Sequence, residues 1–239
     1  MTTLLVAGLS YALPPSWAGT GVGMAFFGAV YFLVLRNPNE DPRKFGLALG
    51  GLLEAEPLQA SKLLREGAEA LAWAAIAGAI VFPFYWFGYL WWWHPSRSFD
   101  FTRLPSLNDA FGQILAVALP EEAFYRGYLQ SELTRKLPAK WQGAARLGPW
   151  AQREGLDQPD TRGMWFGARF FVAALLTSGI FALGHFATEP QPYRLAVFFP
   201  SLLFGWLRAK TNGIGASVLF HASCNLFSLY LAQGYGFIQ

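Results

Sequence analysis

The chain has 239 residues; 54% are hydrophobic, 17% aromatic and only 14% charged, and the formal net charge is +3. Soluble globular domains carry about 25% charged residues, and this much apolar surface exceeds what one core of this size can bury. Disorder, coiled coil and collagen-like repeats need more polar or periodic sequence, so a membrane protein is the reading that remains.

Residues 1–13 contain no Lys or Arg, so the charged start of a cleaved signal is missing. The apolar stretch 4–13 is short, stops at Pro14-Pro15, and reads as an interfacial or partly embedded lead-in. A spanning helix needs about 20 mostly apolar residues, at ~1.5 Å each across a ~30 Å hydrocarbon core. Six stretches qualify: 17–35, 71–93, 107–129, 165–186, 193–207 and 213–232, the fifth being the shortest. Pro83 and Pro120 interrupt the second and third; a span tolerates this when neighbours satisfy the freed backbone. Trp91-Trp92-Trp93 closes the second as an interfacial aromatic belt. The predicted fold is an all-α membrane protein, a polytopic bundle of about six transmembrane helices within a range of five to eight. It reads as one integral membrane domain over 1–239, with its core at about 107–232.

The basic residues test that layout. The loops 36–70, 130–164 and 208–212 hold 13 of the 18 Lys and Arg, the opposite side holds 3, and Arg126 and Arg169 lie inside spans. The bias predicts cytoplasmic long loops, with both termini outside. It also explains the basic balance without nucleic acid, which is not an expected partner. The leucine-rich segment 36–70 is expected to form an amphipathic helix on the cytoplasmic membrane face, and the Gly-, Pro-, Arg- and Asp-rich loop 130–164 to be solvated. Cys224 is the single cysteine, which excludes an internal disulfide and a Cys-rich metal site. No internal repeat and no phosphate-cradling glycine loop is present.

Ionisable groups inside a bilayer cost roughly 2.5–3.5 kcal/mol each on insertion scales, so each asks for a reason. Three clusters break the apolar pattern. In the third span, Glu121-Glu122 precede Arg126. Glu122 and Arg126 are four apart and share a helix face, whereas Glu121 points about 100° away without a partner in the motif. The bland alternative is an ion-pair cluster at a helix end. In the fourth span, His185 follows Phe181 by one turn; a histidine bonded to a carbonyl would explain it alone. In the sixth span, His221 and Asn225 share a face, and interhelical hydrogen bonding would explain them alone. Taken together, two of the three histidines join two carboxylates and an amide in membrane blocks. Unless the three helices converge, each group faces lipid unpaired. His94 follows the Trp run and reads as interfacial.

The ordered set Glu121-Glu122-x-x-x-Arg126, Phe181-x-x-x-His185 and His221-x-x-x-Asn225 resembles the CPBP family. That family comprises the type II CAAX prenyl proteases and the bacteriocin-processing or self-immunity proteins. The motifs match in residue type, spacing and order over 121–225, while the first 100 residues match only in being membrane-spanning. The resemblance implies an intramembrane endopeptidase. It assigns catalytic roles to Glu121, His185, His221 and Asn225, with Glu122 and Arg126 in support.

Two mechanisms fit. In one, Glu121 assisted by His185 deprotonates water, while His221 and Asn225 donate to the oxyanion. In the other, His185, His221 and a glutamate hold zinc, with water in the open position, although no H-E-x-x-H helix is present. Zinc is therefore an open option, and no cofactor is certain. The expected partners are the lipid bilayer and a membrane protein or lipopeptide substrate, cut near its C-terminus at a water-filled site open to the cytoplasm or laterally to lipid. Composition points to a prokaryotic inner membrane. The competing readings are a transporter or channel using the same buried groups as an ion path, and a non-catalytic immunity or scaffold protein on the same fold.

Overall fold

The computed structural model describes residues 2–53, 57–137 and 168–238. Every regular element among them is helical. The expected solvated loop therefore lies outside the described residues from 138 onward, as do 165–167 of the fourth span and 54–56 of the leucine-rich segment.

The chain opens with α1 (Thr2–Ala12), which ends where Pro14-Pro15 removes two amide donors. Helix α2 (15–35) starts with Pro15 at its first position, where the missing donor costs nothing, and closes in a π-helical turn, Tyr31–Leu35. Of the segment 36–70, expected to form an amphipathic helix, only 60–70 is helical, as the start of the next helix. Before it, proline at 38, 42 and 57 and positive φ at Gly46, Gly50 and Gly51 leave two 3-10 turns among the described residues, Pro42–Phe45 and Leu49–Gly51. Its apolar residues fold inward instead: Phe45 and Leu47 join the core. Helix α3 (Ala60–Trp93) begins 11 residues before the apolar run does, and its Glu66 accepts a hydrogen bond from Gly50 N–H at 3.1 Å.

Helix α4 (107–136) starts in a capping box between Ser106 and Asp109. It contains two π-helical stretches, Gly112–Ala118 and Ala123–Leu129, on either side of Leu119–Glu122. It continues past the apolar run to Lys136 because Glu132 pairs with Arg135 and Lys136 one turn on. Helix α5 (Ala168–Thr188) leads to a 3-10 segment, Pro192–Val197, and then α6 (Phe198–Thr211) and α7 (Gly215–Gly234).

Four helices are long and apolar enough to cross a membrane: Trp17–Leu35, Ala60–Trp93, Phe171–Thr188 and Gly215–Gly234. Helix α4 is not among them, because Asp109, Glu121, Glu122 and Arg126 dilute its apolar run. The fifth expected span becomes the 3-10 segment plus a 14-residue α-helix, the latter only about 21 Å long.

Large apolar side chains cover the outside of the bundle, while its interior mixes apolar side chains with small and polar ones. On α3, Leu71, Ile76, Ile80, Phe84 and Phe87 are exposed, while Ala70, Ala74, Ala77 and Gly78 are buried. These small residues recur at helical spacing and let α3 pack closely on α7. Helix α7 also packs on α6 and on the first half of α4, and α5 packs on α6 and α1. Thr177, Ser178, Ser201 and Ser217 are fully buried in the interior. Pro120 shapes the approach of α2 to α4. It donates no hydrogen bond to Ala116 O, and that oxygen faces Gly23, where a Cβ would stand 2.4 Å from it. Only glycine permits that contact.

Candidate functional site

The site lies where α4, α5, α6 and α7 meet. Its charged centre comes from α4 and α7. Glu122 and Arg126, one turn apart, are both 0% exposed, and Arg126 Nε stands 3.4 Å from Glu122 Oε2. His221 Nδ1 donates to Glu122 Oε1 at 3.0 Å. One carboxylate thus faces the guanidinium with one oxygen and the imidazole with the other. The remaining Arg126 donors go to Ser201 Oγ on α6 and to Gln130 Oε1 at 3.4 Å. Its plane also lies over the rings of Phe181 and Phe204, at 5.6 and 6.0 Å. Gln130 in turn donates to Gly205 O at 3.3 Å, and a Cβ on Gly205 would come within 3.0 Å of Gln130 Oε1. Arg126 is therefore fixed by an ion pair, two hydrogen bonds and two aromatic faces on three helices. Burying a guanidinium without such partners would be far too costly.

Glu121 points away from that pair, as helical spacing requires. Its nearest charged neighbour is the free side of the same imidazole: His221 Nε2 lies 3.9 Å from Glu121 Oε2. That oxygen is shut off from solvent and has no hydrogen-bond partner among the described residues. Phe204 stacks on His221 at 4.8 Å, with ring planes 13° apart, and holds the imidazole between the two glutamates.

His185 enters from α5. Its Nδ1 lies 3.1 Å from Phe181 O, the partner one turn back, so Nδ1–H is the donor and Nε2 is left as an acceptor. The Phe181 ring stands between the two histidines, 4.3 Å from His185 and 5.9 Å from His221. Asn225, one turn beyond His221, donates through Nδ2 to Gln113 Oε1 at 2.8 Å. The structure thus brings Glu121, Glu122, Arg126 and His221 into direct contact, sets His185 beside them across Phe181, and ties Asn225 to α4.

Several of these partners were not foreseen. Gln113, Gln130, Ser201 and Phe204 all hold or shield a predicted residue. Two had a signal in the sequence: Gln113 is a polar residue inside an apolar block two turns before Glu121, and Gln130 lies one turn after Arg126, just past the end of that block. Ser201 and Phe204 had none, since nothing local distinguishes them. Glu121 Oε2 and His221 Nε2 are close enough to share an ion, but no group of three His, Cys, Asp or Glu among the described residues is placed to hold a metal. His185 stands apart behind the Phe181 ring.

The family model of the type II CAAX prenyl endopeptidases, Rce1-like, matches residues 104–227, just over half of the chain. That stretch contains all six predicted residues. The chain belongs to this family of intramembrane CAAX proteases, and the resemblance carried by the three motifs is borne out. It is an integral membrane protein. No curated protein and no solved structure matches the chain.

Proposed function

We propose that this protein is an intramembrane endopeptidase that hydrolyses a peptide bond near the C-terminus of membrane-anchored or lipid-modified proteins. The carrying observation is Glu121 Oε2, a buried carboxylate oxygen without a hydrogen-bond partner, facing His221 Nε2 at 3.9 Å. Buried acceptors are nearly always satisfied, so this oxygen suits a reacting water. Glu121 takes a proton from that water as its oxygen bonds to the scissile carbonyl carbon. His185 Nε2, freed because Nδ1–H is engaged by Phe181 O, assists from across the Phe181 ring through a second water. Protonated His221 turns its Nε2–H toward the oxyanion while Nδ1–H remains on Glu122. Asn225 keeps a second amide N–H that donates to the same oxyanion. As the C–N bond breaks, the proton on Glu121 passes to the leaving amine. Glu122 and Arg126 position His221.

With His221 protonated, Glu121, Glu122, Arg126 and His221 sum to zero charge, the cheapest state for four ionised groups removed from water. The steps need only the protein's own groups, so rates in a zinc-free buffer with a strong chelator should equal those without it. With the basic loops cytoplasmic, α5 starts at that face and His185 stands near its other end. This favours substrate entry from the opposite face or laterally over entry from the cytoplasm.

The test compares protein C-termini by mass spectrometry in cells carrying wild type, no copy, or the membrane-inserted Glu121→Gln variant. Shortened C-termini should appear only with wild type. Identical C-termini in all three would end the proposal.

A further inference from the structure

A second cation reaches this site, and the charged cluster does not account for it. Arg194 lies in the 3-10 segment Pro192–Val197, packed against α5 just beyond His185. The backbone binds the two together: Glu189 N–H donates to His185 O at 3.2 Å, and Arg194 N–H donates to Gln191 O at 2.9 Å. Arg194 Nε faces Glu189 Oε2 at 3.3 Å, is shut off from solvent, and makes no hydrogen bond among the described residues. Tyr193 O–H donates to Glu189 Oε1 at 2.7 Å and holds that carboxylate in place. The Glu189 side chain is 48% exposed and that of Arg194 32%. An ion pair this open is weak and exchangeable. The segment that carries Arg194 packs against α5, the helix that ends just after His185, and against α6. Arg126 is consumed by Glu122 and Ser201, which leaves Arg194 as the cation with donors to spare at the His185 end of the site.

We infer that Arg194 is a specificity-determining residue that binds the free C-terminal carboxylate of the substrate, exchanging Glu189 for it as the peptide enters. A guanidinium matches a carboxylate in shape and presents two parallel donors. A chain end fixed there places a peptide bond a few residues upstream against Glu121 and His185. Cleavage is thereby limited to sites near a C-terminus, and a membrane protease without such a limit would attack helices at random. Glu189 occupies the cation until a substrate arrives. The inference rests on the hydrolytic reading above.

The test uses one library of membrane-anchored peptides made twice, with free-acid and with amidated C-termini. Both are presented to purified full-length protein in phosphatidylglycerol vesicles, and cleavage is followed by mass spectrometry. Wild type should cleave the acids at least about tenfold more efficiently, the worth of one charge-assisted contact, with the difference in KM rather than kcat. Arg194→Ala should bring the acid-to-amide ratio to about one, and Arg194→Lys should keep part of it. Glu189→Gln removes the competitor and should lower KM for the acids, which keeps the inference testable if Arg194→Ala misfolds. Equal cleavage of acids and amides by wild type, or a ratio retained in Arg194→Ala, overturns the inference and leaves hydrolysis standing. Cleavage of neither library by wild type sinks the hydrolytic reading itself.

Discussion

Two arginines serve this site, and their surroundings are opposites. Arg126 on α4 is wholly buried, has its ion-pair partner one turn away, and is boxed in by Ser201, Gln130 and two phenylalanines. Arg194, between α5 and α6, is one-third exposed and shares a single open carboxylate with Tyr193. A buried pair is expensive to break, since removing one partner strands a charge and costs about 3–5 kcal/mol. An open pair contributes about 0–1 kcal/mol and can change partners at little cost. The first arrangement suits a fixed frame for chemistry. The second suits a group that must release one anion to take another.

The histidines repeat the contrast. His221 is 4% exposed and joins both glutamates. His185 is half-buried, and its hydrogen bond runs to its own helix backbone. Changes at the α4–α7 centre should therefore damage stability and activity together, whereas changes at the α5 end should damage activity alone.

The strongest way to break that comparison is to strand a charge in the centre. Glu122→Ala and Arg126→Ala should each cost about 3–5 kcal/mol of stability and abolish cleavage. Thermal unfolding in detergent reads the first effect and peptide hydrolysis the second. The double variant Glu122→Ala/Arg126→Ala should lose less stability than the two single changes added together, because no lone charge remains. If Arg126→Ala unfolds at the wild-type temperature, the pair is not a structural element.

At the α5 end, His185→Gln should lower kcat by about 10²-fold, the lower end of what proton-transfer groups contribute, with an almost unchanged unfolding temperature. Loss of stability equal to that of Arg126→Ala would erase the distinction between the two regions.

The smallest effect concerns the link between Asn225 and Gln113. A double-mutant cycle of Asn225→Ala and Gln113→Ala should show a coupling of about 1 kcal/mol in stability. Additive losses would mean that the 2.8 Å contact contributes nothing.

Much of this was legible in the sequence because a bilayer penalises polar residues so heavily. An ionisable group in an apolar run has few tolerable explanations, so Glu121, Glu122, Arg126 and His221 announced a shared interior before any geometry was known. Helical spacing then separated the paired carboxylate from the free one. The same logic failed for Gln113, Gln130 and Ser201, because uncharged polar residues cost less and stand out less. It also misread 36–59. There leucine content suggested an amphipathic helix, yet prolines and left-handed glycines forbid one and Leu47 turns into the core.

The sequence by itself determined the membrane class, the order of the apolar helices, and which side chains needed company. Hydropathy and residue spacing are local properties, and they are enough for that. The tertiary structure alone decided who the company is: that His221 bridges both glutamates across helices, that Phe204 stacks on it, that Phe181 separates the two histidines, and that Arg194 pairs with Glu189 in the turn after α5. Those partners are up to 100 residues apart along the chain. Only the packing of small-residue helix faces, which no local pattern encodes, brings them within reach of one another.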